Sequence, residues 1–159
     1  MLKKTIKYED YDGTIKTVDA YFNLTKTECV DMNLEYEAEG GLVGHLKKVI
    51  ADKKDGVILQ KPAVDFVKLM IERAYGVRPK DDPSMFIKED EDGKPLFRRF
   101  KQSAAYDAYV YALLSGEESL DEFATSVLPK MTNEQKAEAE KMMKQEGLDN
   151  IVKLNPAEG

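Results

Sequence analysis

Hydrophobic and polar positions change their period several times along this chain, and each change predicts an element. Residues 5–22 read as a β-hairpin. β-Branched and aromatic side chains (Thr5, Ile6, Tyr8, then Ile15, Thr17, Val18, Tyr21, Phe22) flank Asp10-Tyr11-Asp12-Gly13, and Asp12-Gly13 supplies the positive φ such a turn prefers. Thr25-Lys26-Thr27-Glu28 has capping-box spacing, which predicts a single helical turn after Asn23-Leu24. Val30-Asp31-Met32-Asn33-Leu34-Glu35-Tyr36-Glu37-Ala38 then alternates apolar and polar at every step, the period of a strand with one buried face. It is read as a third strand joining the hairpin, broken by Glu39-Gly40-Gly41.

Beyond the glycines the period becomes helical. Leu42, Val43, Leu46, Val49 and Ile50 form one apolar stripe, and Ala63, Phe66, Val67, Met70, Ile71 and Ala74 form another behind Pro62, which sits where a first helical turn tolerates proline. Lys80 to Pro95 is polar, acidic and proline-punctuated, and is expected to be a mobile internal loop. From Ser103 to Leu114 the chain is helical and apolar on most sides, so this helix is expected to be central, with Ser115-Gly116 closing it. Leu120, Phe123, Ala124, Val127 and Leu128 make a last amphipathic helix that stops at Pro129.

Thr132 to Gln145 favours helix by propensity, but offers only methionines as sizeable apolar groups nearby. The expected architecture is therefore α+β: a three-stranded antiparallel sheet within residues 3–38, then about four main helices to residue 129. The compact domain is placed at residues 1–130, and residues 131–159 are expected to be a polar tail, helical or disordered.

Charge and composition narrow the classes. The 159 residues carry 24 basic and 30 acidic groups, a formal net charge of −6, and the basic residues are scattered. An electrostatic grip on phosphates needs a dense basic patch, so nucleic acid is not an expected partner. No apolar run approaches the ~20 residues that cross a bilayer, and no stretch of signal-peptide length follows the N-terminal lysines. A membrane is not an expected partner either, and a cytoplasmic location is expected. The single cysteine, Cys29, excludes an intramolecular disulfide and a thiolate zinc cage.

Catalytic motifs fail individually. Gly40-Gly41-Leu42-Val43-Gly44-His45 lacks the Lys-Ser/Thr that completes a phosphate-binding loop. Glu89-Asp90-Glu91-Asp92-Gly93 invites a calcium reading. With Gly93 at the sixth position of an EF-hand loop, however, Lys88 and Arg99 fall where carboxylates are required. His45 is the lone histidine, so no histidine pair can hold a metal, and Cys29 has no electropositive sequence context to make a thiolate. No catalytic residue, cofactor or metal is expected, and the chain is read as a non-enzyme. An acidic domain with several amphipathic helices and a Met- and Tyr-rich apolar inventory suits protein binding.

The order of segments also resembles a known family. The hairpin ending in Tyr21-Phe22-Asn23-Leu24-Thr25-Lys26-Thr27-Glu28, followed by Glu39-Gly40-Gly41-Leu42, is similar to the start of tail assembly chaperones of long-tailed siphophages infecting Gram-positive bacteria. Three later blocks agree: Arg73-Ala74-Tyr75-Gly76-Val77; Phe86-Ile87-Lys88 with Phe100-Lys101-Gln102-Ser103-Ala104-Ala105-Tyr106; and Phe123-Ala124-Thr125-Ser126-Val127-Leu128-Pro129. Together they span residues 3–129. Residues 88–96 look longer and more acidic than the family pattern, and residues 131–159 extend past the usual end of its domain.

The resemblance implies a non-catalytic protein of phage morphogenesis, working in the cytoplasm of the bacterial host and absent from the mature virion. It would bind and solubilise the tape measure protein and help recruit tail tube subunits. Self-association, or a longer form made by ribosomal frameshifting, is left open, and the alternative is a structural tail component retained in the virion. For such a binder the expected apolar contact is the helical face around Tyr106, Phe123, Val127 and Leu128, approached by Phe97 and Phe100. The competing reading of these six residues is core.

Overall fold

A computed structural model describes residues 1–129 of the chain. Strands β1 (Leu2–Glu9) and β2 (Ile15–Phe22) pair antiparallel in the register Leu2 with Phe22 through Glu9 with Ile15. Asp10 organises the turn between them: its Oδ1 accepts from the amides of Asp12 and Thr14, and Gly13 takes φ 81°. Helix α1 (Lys26–Glu35) follows, then a 3-10 turn (Glu37–Glu39), α2 (Gly41–Ala51) and α3 (Lys61–Ala74). A two-residue strand β3 (Tyr75–Gly76) returns to the sheet beside Tyr21 and Phe22, giving the order β1-β2-β3. A short α4 (Phe97–Lys101), then α5 (Ala104–Ser115) and α6 (Leu120–Val127), complete the domain. The sheet is three-stranded and antiparallel, and the α+β expectation holds. The expected polar tail, residues 131–159, lies outside the described residues.

The third strand is not the one the sequence predicts. Thr25 and Glu28 do form a reciprocal capping box, but the helix it starts runs for 10 residues instead of one turn. The alternation of residues 30–38 is misleading because two helical faces hide within it. Met32 and Tyr36 lie one turn apart with Cys29 and turn toward the core, whereas Val30 and Leu34, also one turn apart, face solvent. The strand that does join β2 is only two residues long.

Phe22 is fully buried at the junction of sheet and helices. Its ring lies 5.9 Å from Tyr75 of β3, 6.1 Å from Phe100 of α4, 5.5 Å from Tyr109 of α5 and 5.6 Å from Phe123 of α6. Around it the predicted α3 stripe is wholly buried, Ala63 through Ala74. A smaller cluster of Tyr36, His45 and Phe66 joins α1, α2 and α3, and Asn33 Oδ1 accepts the Leu42 amide at the start of α2.

Residues 77–96 are a folded strap, where a mobile loop was expected. Val77 bridges Ile87 and Glu89 bridges Pro95. Its centre is Lys88, whose Nζ donates to the carbonyls of Asn23 (2.8 Å) and Arg73 (2.7 Å) and to both carboxylate oxygens of Glu28 (2.8 Å each). Burial pushes the Glu28 carboxyl up, but hydrogen bonds from Lys88 and the Thr25 amide outweigh it and leave it below its ordinary value of 4.5.

Phe22→Ala should cost about 3–5 kcal/mol of unfolding free energy in a urea titration, since four rings lose a common partner. Lys88→Met should cost about 1–3 kcal/mol at pH 7 by leaving two carbonyls and a carboxylate without their donor. A depressed carboxyl pKa stabilises the fold above its unfolded value and ceases to do so as pH falls through the folded one. The gap between parent and Lys88→Met should therefore narrow from about pH 5 to pH 3; a gap constant with pH would remove the ionic contribution.

Candidate functional site

Helix α5 is the most central helix in the sequence pattern, yet one of its aromatics faces water. Ser103 caps it, its hydroxyl accepting the Tyr106 amide, and Gly116 ends it at φ 86°, where an added Cβ would stand 2.7 Å from the Gly56 carbonyl oxygen. Ala105, Tyr109, Val110 and Leu113 are buried beneath it, while Tyr111 is 66% exposed and Asp107 lies exposed one turn earlier. Tyr111 stands on a ridge between two open grooves.

The first groove, of 340 Å³, runs between α3, α4 and α5. Phe97, Tyr106, Val110 and Leu114 line it with apolar surface, and Lys68, Glu72, Lys101 and Asp107 line it with charge. None of those four charged groups has an ion-pair partner among the described residues. Burial, then the carboxylates of Glu72 and Asp107, push the Tyr106 phenol above its ordinary value, so it stays protonated at neutral pH and can donate. The second groove, of 490 Å³, lies between β1, at Lys4–Lys7, and α5, where Ala108 and Ala112 leave a shallow trough. Glu117 and Glu118 line it as well, and Lys4 Nζ reaches Glu118 Oε2 at 2.7 Å.

The six residues expected to contact a partner do not form one face. Phe97, itself buried, and the half-buried Tyr106 meet at the first groove, their rings 5.7 Å apart. Phe100 lies behind them, stacked on Tyr75 at 4.3 Å, and is buried. Phe123 and Val127 are core residues on α6, and Leu128 is half-buried against that core. Sequence reasoning missed Tyr111 and the charged lining. The available signal was Asp107, Tyr111 and Leu114 at helical spacing in a helix otherwise too apolar to show a polar side.

The other chemically suggestive residues have structural partners. Asp90 repeats the wiring of Asp10, its Oδ1 accepting from the amides of Asp92 and Lys94 with Gly93 at φ 77°, so the acidic run is a turn. His45 contacts Glu39 and stacks on Tyr36, with burial and Lys48 holding its proton affinity down. Burial, then the Glu28 carboxylate, push the Cys29 thiol up. Among the described residues no group of three His, Cys, Asp or Glu side chains is arranged to hold a metal, and no helix is long and apolar enough to cross a membrane.

The chain matches the phage tail assembly chaperone family over residues 1–157. The match continues through the segment expected to lie past the end of the family's domain, so nearly all of the tail falls inside it. No curated protein and no solved structure shows a match to the chain. With nearly its whole length matched, the chain belongs to the phage tail assembly chaperone family.

Proposed function

We propose that this protein binds the tape measure protein during tail morphogenesis, keeps it soluble and helps recruit tail tube subunits around it, without catalysing a reaction. The observation that carries the reading is the groove of α3, α4 and α5 in a member of the tail assembly chaperone family: an apolar floor at Phe97, Tyr106, Val110 and Leu114 edged by uncommitted charges of both signs. Such a groove takes the apolar stripe of a helix and lets flanking charges set its register. A tape measure chain presents extended apolar helical stripes that aggregate unless covered. Moderate affinity at each copy, with many copies along one chain, gives avidity and still permits displacement by tube protein. The working location is the host cytoplasm, and the finished virion is without it.

Co-expression with the tape measure protein from the same genome tests this. The expected product is a soluble complex holding several copies of the chaperone per partner on a sizing column. Tyr111→Asp combined with Lys101→Glu should send the partner to the pellet while the chaperone stays soluble. A parent chaperone that leaves the partner insoluble, together with its detection by mass spectrometry in purified particles, would shift the role to a tail component retained in the virion.

The ridge and the core should also separate energetically. Tyr111→Ala is expected to change stability by no more than about 0.5 kcal/mol, and Phe123→Ala to cost about 3–5 kcal/mol, both read from urea melts. A large loss from Tyr111→Ala would make that ring a structural element instead of a docking one.

A further inference from the structure

We propose that the open edge of β1 takes up an extended, acidic segment of a partner protein as a fourth strand, seated in the slot between β1 and α5. Among the described residues, the sheet order leaves β1 paired on one side only. The Asp10 amide donates to the Thr14 carbonyl at 2.9 Å, which makes Asp10 and Thr14 a hydrogen-bonded pair. By the alternation of antiparallel ladders, the backbones of Leu2, Lys4, Ile6 and Tyr8 then face β2, and those of Lys3, Thr5, Lys7 and Glu9 face outward, away from it. Outward-facing amides and carbonyls along 8 residues are a template for an added strand.

This edge differs from the other free edge of the sheet. On the side away from β1, residues 15–19 of β2 also lack a strand partner among the described residues, because β3 pairs only with Tyr21 and Phe22, but they stand exposed. Beside β1, α5 supplies a second wall, and the 490 Å³ between them is within the range of ligand-holding clefts, about 300–1,000 Å³. Ala108 and Ala112, one turn apart, lower that wall where an incoming strand's inward side chains would lie.

Charge selects the occupant. In a protein of net charge −6, β1 carries Lys3, Lys4 and Lys7 against the single Glu9, while Glu117 and Glu118 line the slot beside α5, so the positive side open to an occupant is that of Lys3 and Lys7. Lys4 is engaged by Glu118, and Lys3 holds Asp19 only at 3.6 Å in an exposed pair. Lys7 has no carboxylate partner among the described residues. Lysines on an edge oppose pairing with a second copy, since antiparallel self-pairing centred on Thr5 sets Lys3 opposite Lys7. The same lysines favour a strand with carboxylates on its outer face, opposite Lys3 and Lys7, and small apolar side chains on its inner face, against the Ala108–Ala112 trough. This interface shares the Tyr111 ridge with the groove proposed for the tape measure protein but does not depend on that groove's role.

The test is a titration of the ¹⁵N-labelled full chain with a capped peptide of β1's length alternating Val and Glu, against one alternating Val and Lys. The Lys3, Thr5 and Lys7 amides should shift and gain protection from hydrogen exchange with the Val/Glu peptide, and the Val/Lys peptide should bind at least about tenfold more weakly. Thr5→Pro, which removes one outward donor, should abolish the effect with the Phe66 and Phe123 resonances, away from the slot, unmoved. If that variant misfolds, a Val/Glu peptide N-methylated on the edge-pairing amides should fail against the parent chain. Equal affinity for both peptides, shifts confined to the α3–α5 groove, or no shift at β1 would overturn the proposal. So would protection of Thr5 and Lys7 that rises with protein concentration in the absence of peptide, which would assign the edge to a second copy.

Discussion

Phe22 sets the geometry on which both grooves depend. It sits at the end of the one strand paired on both sides, and rings from β3, α4, α5 and α6 meet its own. A two-stranded hairpin is marginal in water by itself, and Phe22, with Ile6 and Ala20 buried beside it in the core, anchors β1 and β2 among the helices. The slot between β1 and α5 inherits its width from that anchoring. The groove of α3, α4 and α5 inherits its floor from it too, since Phe100, in contact with Phe22, also meets Phe97 and Tyr106.

The strap solves a different problem, which is backbone satisfaction. Where β2 gives way to α1 and α3 gives way to β3, the carbonyls of Asn23 and Arg73 both bond to Lys88 instead of to water. One ammonium thus closes two element junctions and joins them to the capping carboxylate of α1, and it does so half-buried, where each bond counts for more than at the surface. The acidic run next to it is turn chemistry. Asp10-Tyr11-Asp12-Gly13-Thr14 and Asp90-Glu91-Asp92-Gly93-Lys94 carry Asp, Asp and Gly at the same offsets and the same backbone hydrogen bonds, so the carboxylates that suggest a cation serve their own amides.

Much of this fold was legible because single periods dominated. The hairpin, the α3 stripe, and the capped α5 and α6 all follow from local spacing. Residues 30–38 were misread because alternation and a helical face share positions over so short a span, and only the packing of Met32 and Tyr36 against α2 and α3 decides between them. The two residues of β3 carry no periodic signal at all. At the candidate site, only Tyr106 of the expected aromatics keeps a half-exposed edge along the groove, while Phe97, Phe100 and Phe123 have the same aromatic character and are buried, as is the aliphatic Val127. An aromatic side chain reads alike in sequence whether it fills a core or floors a groove. Tyr111 was hidden for the converse reason, lying in a helix apolar on nearly every side.

This division of the aromatics bears on how strongly the exposed surface can bind. Phe97 and Tyr106 are held by Phe100 and by each other, so the groove floor is already formed and an occupant need not order it. The same packing spends most of their apolar area inside the protein, leaving only Tyr111 as a large exposed ring on the ridge. Lys68, Glu72, Lys101 and Asp107 are exposed and without ion-pair partners among the described residues, so each pair made across the rim must first lose water, which favours selectivity over affinity. A preformed floor of small exposed area with a hydrated charged rim gives fast, selective and individually weak contacts. On the proposed role, strength comes from the number of copies engaged along one partner, and release of any single copy requires only the local loss of a few contacts.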